Sequence, residues 1–90
     1  MSCIFCDIIN GREKNWTIYR DESIQAFLDY NPASRGHVLI VPKSHYSDIY
    51  EIPDELLKKI AVFSKQLSLI YKNLYGIEHI NIVNSNGVYA

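Results

Sequence analysis

The residues of this chain whose types and spacing suit chemistry are a cysteine pair, an acid at a strand end, scattered histidines and an amide-rich loop. Cys3 and Cys6 stand as C-x-x-C. Two thiolates on one helical turn can share a tetrahedral Zn²⁺, and His45 could add a nitrogen ligand. The alternative is a pair of thiols packing the N-terminal turn, since free cysteine is among the most buried residue types. A thioredoxin-like redox role lacks its context, because that motif follows a strand in a βαβ unit and only Met1 and Ser2 precede Cys3. Asp29 closes an apolar run and precedes Tyr30-Asn31-Pro32. A carboxylate there can accept two hydrogen bonds from the vicinal diol of a ribose, or cap a turn through its own backbone. Asn84-Ser85-Asn86-Gly87 offers short amides and a hydroxyl to phosphate oxygens, and is equally ordinary turn chemistry. His37, His45 and His79 are isolated from one another. A histidine nucleophile needs a second group to orient it and an oxyanion site nearby, and the sequence places neither; His37 reads as structural and His79 as solvated.

These residues hang on elements that periodicity predicts. Ile4, Phe5, Ile8 and Ile9 have helical spacing, ended by Asn10-Gly11. Residues 16–20 and 24–28 read as strands around the turn Asp21-Glu22-Ser23, and 37–41 as a more continuously apolar strand. From Pro53 the period changes to 3.6, with Leu56, Ile60, Phe63, Leu67, Ile70 and Leu74 in one stripe that is expected to pack on the sheet. Leu57, Val62, Leu69 and Tyr71 flank that stripe and suggest self-association. Pro53 suits a first helical position, Asp54 and Glu55 the positive end of the helix, and Gly76 its left-handed stop. Residues 77–84 return to alternation and read as a last strand. The expected fold is α+β: an antiparallel meander with a short N-terminal helix and one long amphipathic helix.

Ninety residues suit a single small domain over 1–90, with no internal repeat, low-complexity tract or linker. Nine Lys and Arg against ten Asp and Glu give a net charge of −1, spread without a basic block. That disfavours a nucleic-acid backbone or an anionic membrane as partner. No apolar run approaches the roughly 20 residues that span a bilayer, and the first fifteen residues lack the apolar core of a signal peptide. The expected compartment is the cytoplasm, with the cysteine pair in metal or redox chemistry rather than a disulfide framework.

The stretch FLDYNPASRGHVLIVPKSHY, with CIFCDIINGR before it and INIVNSNG after it, resembles the histidine triad family of nucleotide hydrolases and transferases. The resemblance covers essentially the whole chain. It implies a homodimer formed through the long helix and following strands, and a pocket for a purine nucleoside monophosphate. Ile4, Phe5, Ile8 and Phe27 would pack the base, Asp29 would hold the ribose, and Asn84, Ser85 and Asn86 would face the phosphate. Zn²⁺ on Cys3, Cys6 and His45 is part of the same expectation.

The family's alternating histidines, of which the middle one attacks the α-phosphate to form a nucleotidyl-histidine, are expected just after Ala90. The 90 residues contain no His-x-His-x-His. They therefore read as a C-terminally incomplete domain, resembling a hydrolase of nucleoside phosphoramidates or dinucleotide polyphosphates but inactive as it stands. The alternatives are a non-catalytic nucleotide- or zinc-binding dimeric remnant and a small zinc-stabilised module.

Overall fold

The computed structural model describes residues 4–11, 16–28 and 37–86, with no side-chain description for Ile4 and Asp7. Along the chain run α1 (Ile4–Ile9), β1 (Thr17–Arg20), β2 (Ile24–Leu28), β3 (Val38–Pro42) and α2 (Asp54–Tyr75). The chain divides into two compact units, Met1–His45 and Tyr46–Ala90.

In the first unit β2 is the centre of an antiparallel sheet of order β1-β2-β3. Its central position follows from composition, since Ile24 and Ala26 are fully buried and Gln25 and Phe27 are 2% exposed. β2 pairs with β3 in continuous register from Ile24↔Pro42 to Leu28↔Val38. Its pairing with β1 is interrupted, because Thr17 faces Phe27 while Tyr19 faces Ala26. That one-residue bulge at Ile18 moves Thr17 and Tyr19 to opposite faces of the sheet. The Asp21 carboxylate closes the β1–β2 turn: Oδ1 accepts from the backbone N–H of Ser23 at 2.8 Å and of Ile24 at 3.0 Å, and Oδ2 accepts from the Tyr19 hydroxyl at 2.7 Å. This is the local chemistry that makes Asp a turn residue. The turn that follows α1 holds Gly11, whose φ of +76° puts it in the left-handed region where a Cβ is unfavourable.

In the second unit α2 runs 22 residues and starts one residue later than expected. Pro53 lies outside the helix as its N-cap, in extended conformation, and its carbonyl accepts the first bond, from Leu57 N–H at 3.0 Å. Gly76 terminates it at φ +67°, donating to the Lys72 carbonyl at 3.0 Å. The buried face differs from the expected stripe. Leu56, Ile60, Phe63, Leu67 and Tyr71 are half-buried around Ser64, which is buried, whereas Ile70 and Leu74 are 50% and 70% exposed. Four residues beyond Leu67 lies Tyr71 and three beyond lies Ile70, so both are near neighbours on the helix surface. Side-chain hydropathy favours Ile70, but the helix turns Tyr71 inward. Ser64 satisfies its hydroxyl by donating to the Ile60 carbonyl at 2.8 Å, which lets a polar residue occupy the most buried place. Burial, and secondarily the neighbouring Tyr75, push the Tyr71 phenol above its ordinary pKa.

The expected last strand over 77–84 does not form. These residues follow α2 without regular structure, and Ile80, Ile82 and Val83 are 45%, 69% and 79% exposed. Alternation specifies two faces but no neighbour, and a strand exists only where its N–H and C=O groups find a ladder partner.

Candidate functional site

One face of the sheet carries an aromatic pair shared with α1. Residues directly opposite in an antiparallel ladder share a face, so Gln25 and Phe27 lie with Val41, Leu39 and Thr17 on the side that α1 approaches. Phe5 of α1 places its ring centroid 6.2 Å from that of Phe27, tilted by 43°, within the range of favourable aromatic pairs. Phe27 is buried and Ile8 is 7% exposed, while Phe5 is 40% exposed. The arrangement is a fixed aromatic floor with one accessible ring, which a planar heterocycle could stack upon. Of the residues expected to pack a base, Phe5 and Phe27 are brought together, Ile8 is buried three residues beyond Phe5 on α1, and the side chain of Ile4 lies outside the description. Asp29, one residue beyond the end of β2, also lies outside the described residues.

Cys6 and His45 are brought together. The thiol lies on α1 and the imidazole three residues beyond β3, and Cys6 Sγ is 3.3 Å from His45 Nδ1. Two ligands on one tetrahedral Zn²⁺, with Zn–S near 2.3 Å and Zn–N near 2.05 Å, stand roughly 3.6 Å apart. The observed separation is within a few tenths of that, so this pair fits two corners of such a site. Cys3 lies outside the described residues, among which no third histidine, cysteine or acid joins the pair. His37 is half-buried immediately before β3, and His79 is exposed.

In the second unit the loop at 84–86 is tied to the turn ahead of α2. Asn86 Oδ1 accepts from the Ile49 backbone N–H at 2.7 Å, and Asn86 Nδ2 donates to Asn84 Oδ1. The same turn is held by Asp48, whose Oδ1 accepts from Tyr50 N–H at 3.0 Å, and by Glu51, whose Oε2 accepts from Ser47 N–H at 2.8 Å. Asn86 therefore spends both ends of its amide inside the protein, whereas Asn84 and Ser85 are exposed.

Sequence reasoning did not single out Gln25. It is 2% exposed, donates through Nε2 to Thr17 Oγ1 at 2.9 Å, and has a buried Oε1 with no hydrogen-bond partner among the described residues. A buried amide oxygen in that state is worth about 1–3 kcal/mol of lost stability. The available signal was a long polar side chain at the second position of an otherwise apolar strand.

The sequence model of the HIT domain family matches residues 10–90. An uncharacterized HIT-like protein of Methanocaldococcus jannaschii is 46% identical over 85 residues, covering 94% of this chain and 65% of that protein. An adenosine 5'-monophosphoramidase of Candida albicans is 36% identical over 90 residues, covering 96% of this chain and 59% of that protein. Among solved structures, a HIT family protein from Bacillus anthracis superposes with a TM-score of 0.89 at 34% identity, covering 98% of this chain and 62% of that one. A zinc-bound histidine triad family protein from Mycobacterium smegmatis gives 0.76 at 33% identity, covering 80% and 52%. The chain spans 59–65% of the length of the first curated relatives it matches.

Proposed function

Because this chain belongs to the HIT domain family, we propose that it supplies the nucleotide-holding part of a purine nucleotide hydrolase acting on nucleoside phosphoramidates or dinucleotide polyphosphates. The observation that carries the reading is the exposed Phe5 ring set against the buried Phe27 ring. In this reading Ile4, Phe5, Ile8 and Phe27 take the base, Asp29 takes the ribose hydroxyls, and Asn84 and Ser85 take phosphate oxygens from a loop that Asn86 ties to Ile49. The relative named as an adenosine 5'-monophosphoramidase supports an adenosine substrate. The reading extends to a cytoplasmic homodimer. No helix among the described residues is long and apolar enough to cross a membrane.

Stacking of a base on an aromatic side chain contributes about 1–3 kcal/mol by alanine substitution. Phe5→Ala is therefore expected to weaken AMP binding by roughly 5- to 150-fold, with folding retained because the ring is already 40% exposed. Calorimetric titration of AMP, GMP and CMP checks this. No AMP binding, or equal affinity for all three nucleotides together with an unaffected Phe5→Ala variant, refutes the reading.

A second reading, a zinc-binding module without catalysis, is favoured by the Cys6–His45 separation. Zn²⁺ held by Cys6 and His45, with Cys3 as a further ligand, would tie α1 to the segment after β3. Loss of a supporting residue around a metal typically weakens binding 10- to 100-fold, so removal of a direct ligand by Cys6→Ala or His45→Ala is expected to weaken it by about 100-fold or more. Competition against a chromogenic chelator measures this, and Zn²⁺ affinity unchanged in both variants rules the site out.

A further inference from the structure

Hydrogen-bond polarity in the 84–86 loop points to a residue that aims another. A backbone N–H can only donate, so the Asn86 amide atom 2.7 Å from Ile49 N is its oxygen. This removes the usual ambiguity between amide oxygen and nitrogen. The other end of Asn86 is then an NH₂ group, which can only donate, and the Asn84 atom facing it is Oδ1. Asn84 is thereby left with its own NH₂ as the outward end of an exposed side chain.

We infer that Asn86 is a positioning residue, relaying the fixed polarity of the Ile49 N–H so that Asn84 turns its oxygen toward Asn86 and its two N–H donors toward its ligand. Such a surface selects an oxyanion, a phosphate oxygen in particular, over a ligand that offers donors. Turning the Asn84 amide over would set two NH₂ groups against each other, so the protein itself opposes the wrong orientation. This rests on the reading that the loop meets the nucleotide's phosphate, and adds which residue enforces the geometry.

The test uses the ¹⁵N-labelled 90-residue chain, titrated with AMP, adenosine and inorganic phosphate while the Asn84 side-chain amide is followed by NMR. AMP is expected to bind about tenfold more tightly than adenosine, the gain of a hydrogen bond to a charged acceptor. Asn86→Leu, uncharged and similar in size, is expected to bring that ratio near one and leave adenosine affinity within about twofold. In ligand-free Asn86→Asp, whose carboxylate still accepts from Ile49 N–H but cannot donate, the Asn84 amide is expected to turn over. Its NH₂ exchange with solvent should then slow.

An AMP-to-adenosine ratio retained in Asn86→Leu overturns the inference, as does Asn84 NH₂ exchange unchanged in Asn86→Asp. If Asn86→Leu fails to fold, the Asn86→Asp exchange decides. If adenosine does not bind the unmodified chain, the nucleotide reading fails separately. A phosphate-induced shift of the Asn84 NH₂, lost in Asn86→Asp, then still supports the positioning role, and no shift overturns it.

Discussion

Phe27→Ala is expected to destabilise the first unit by about 3–5 kcal/mol, the usual range for deleting a buried aromatic ring. Phe27 is 2% exposed on the centre strand, which buries Ile24 and Ala26 fully on the opposite face, and it packs against Phe5 on its own face. The sheet is hydrogen-bonded on both sides of β2 and cannot collapse freely into the space left by the ring. Small domains have total stabilities of about 5–15 kcal/mol, and each kcal/mol shifts the midpoint of one this size by about 4–8 °C. The variant should lose well over ten degrees of thermal midpoint, or its cooperative transition altogether. Urea titration followed by circular dichroism measures it, with Ile82→Ala as comparison. Ile82 is 69% exposed in the irregular segment after α2, so that change should stay within about 0.5 kcal/mol. Similar values for the two variants would show that Phe27 is not the interior residue described.

The second large effect is on turnover. The 90-residue chain is expected to bind AMP without hydrolysing adenosine phosphoramidate above the uncatalysed rate. Cleavage of the P–N bond needs a nucleophile in line with phosphorus and a proton for the departing amine. The histidines in hand suit neither task. His45 is engaged with Cys6, His37 is half-buried beside β3, and His79 is exposed beyond the end of α2. No two of them alternate along a strand. Where a nucleophile has been removed from a hydrolytic site, the loss is on the order of a million-fold in kcat. Chromatographic assay of AMP release should therefore show none attributable to the protein. Steady release that survives further purification and is diminished by Phe5→Ala would contradict this.

The sequence alone determined the elements that local rules govern. Helical spacing ended by Asn10-Gly11 placed α1, alternation around Asp21-Glu22-Ser23 placed β1 and β2, and Pro53 and Gly76 bracketed α2. Turn chemistry, caps and period act between residues a few positions apart, so they travel with the chain. Ligand chemistry identified Cys6 and His45 as possible partners, but not their meeting. That meeting spans 39 positions and depends on α1 lying near the end of β3. The Ile49–Asn86 bond spans 37 positions, and it ties Asn86, an expected phosphate contact, to the turn ahead of α2. The choice of Tyr71 over Ile70 and the absence of a ladder at 77–84 were tertiary outcomes as well. Periodicity states which residues share a face, whereas a buried face and a paired strand each require a partner surface that only the folded chain supplies.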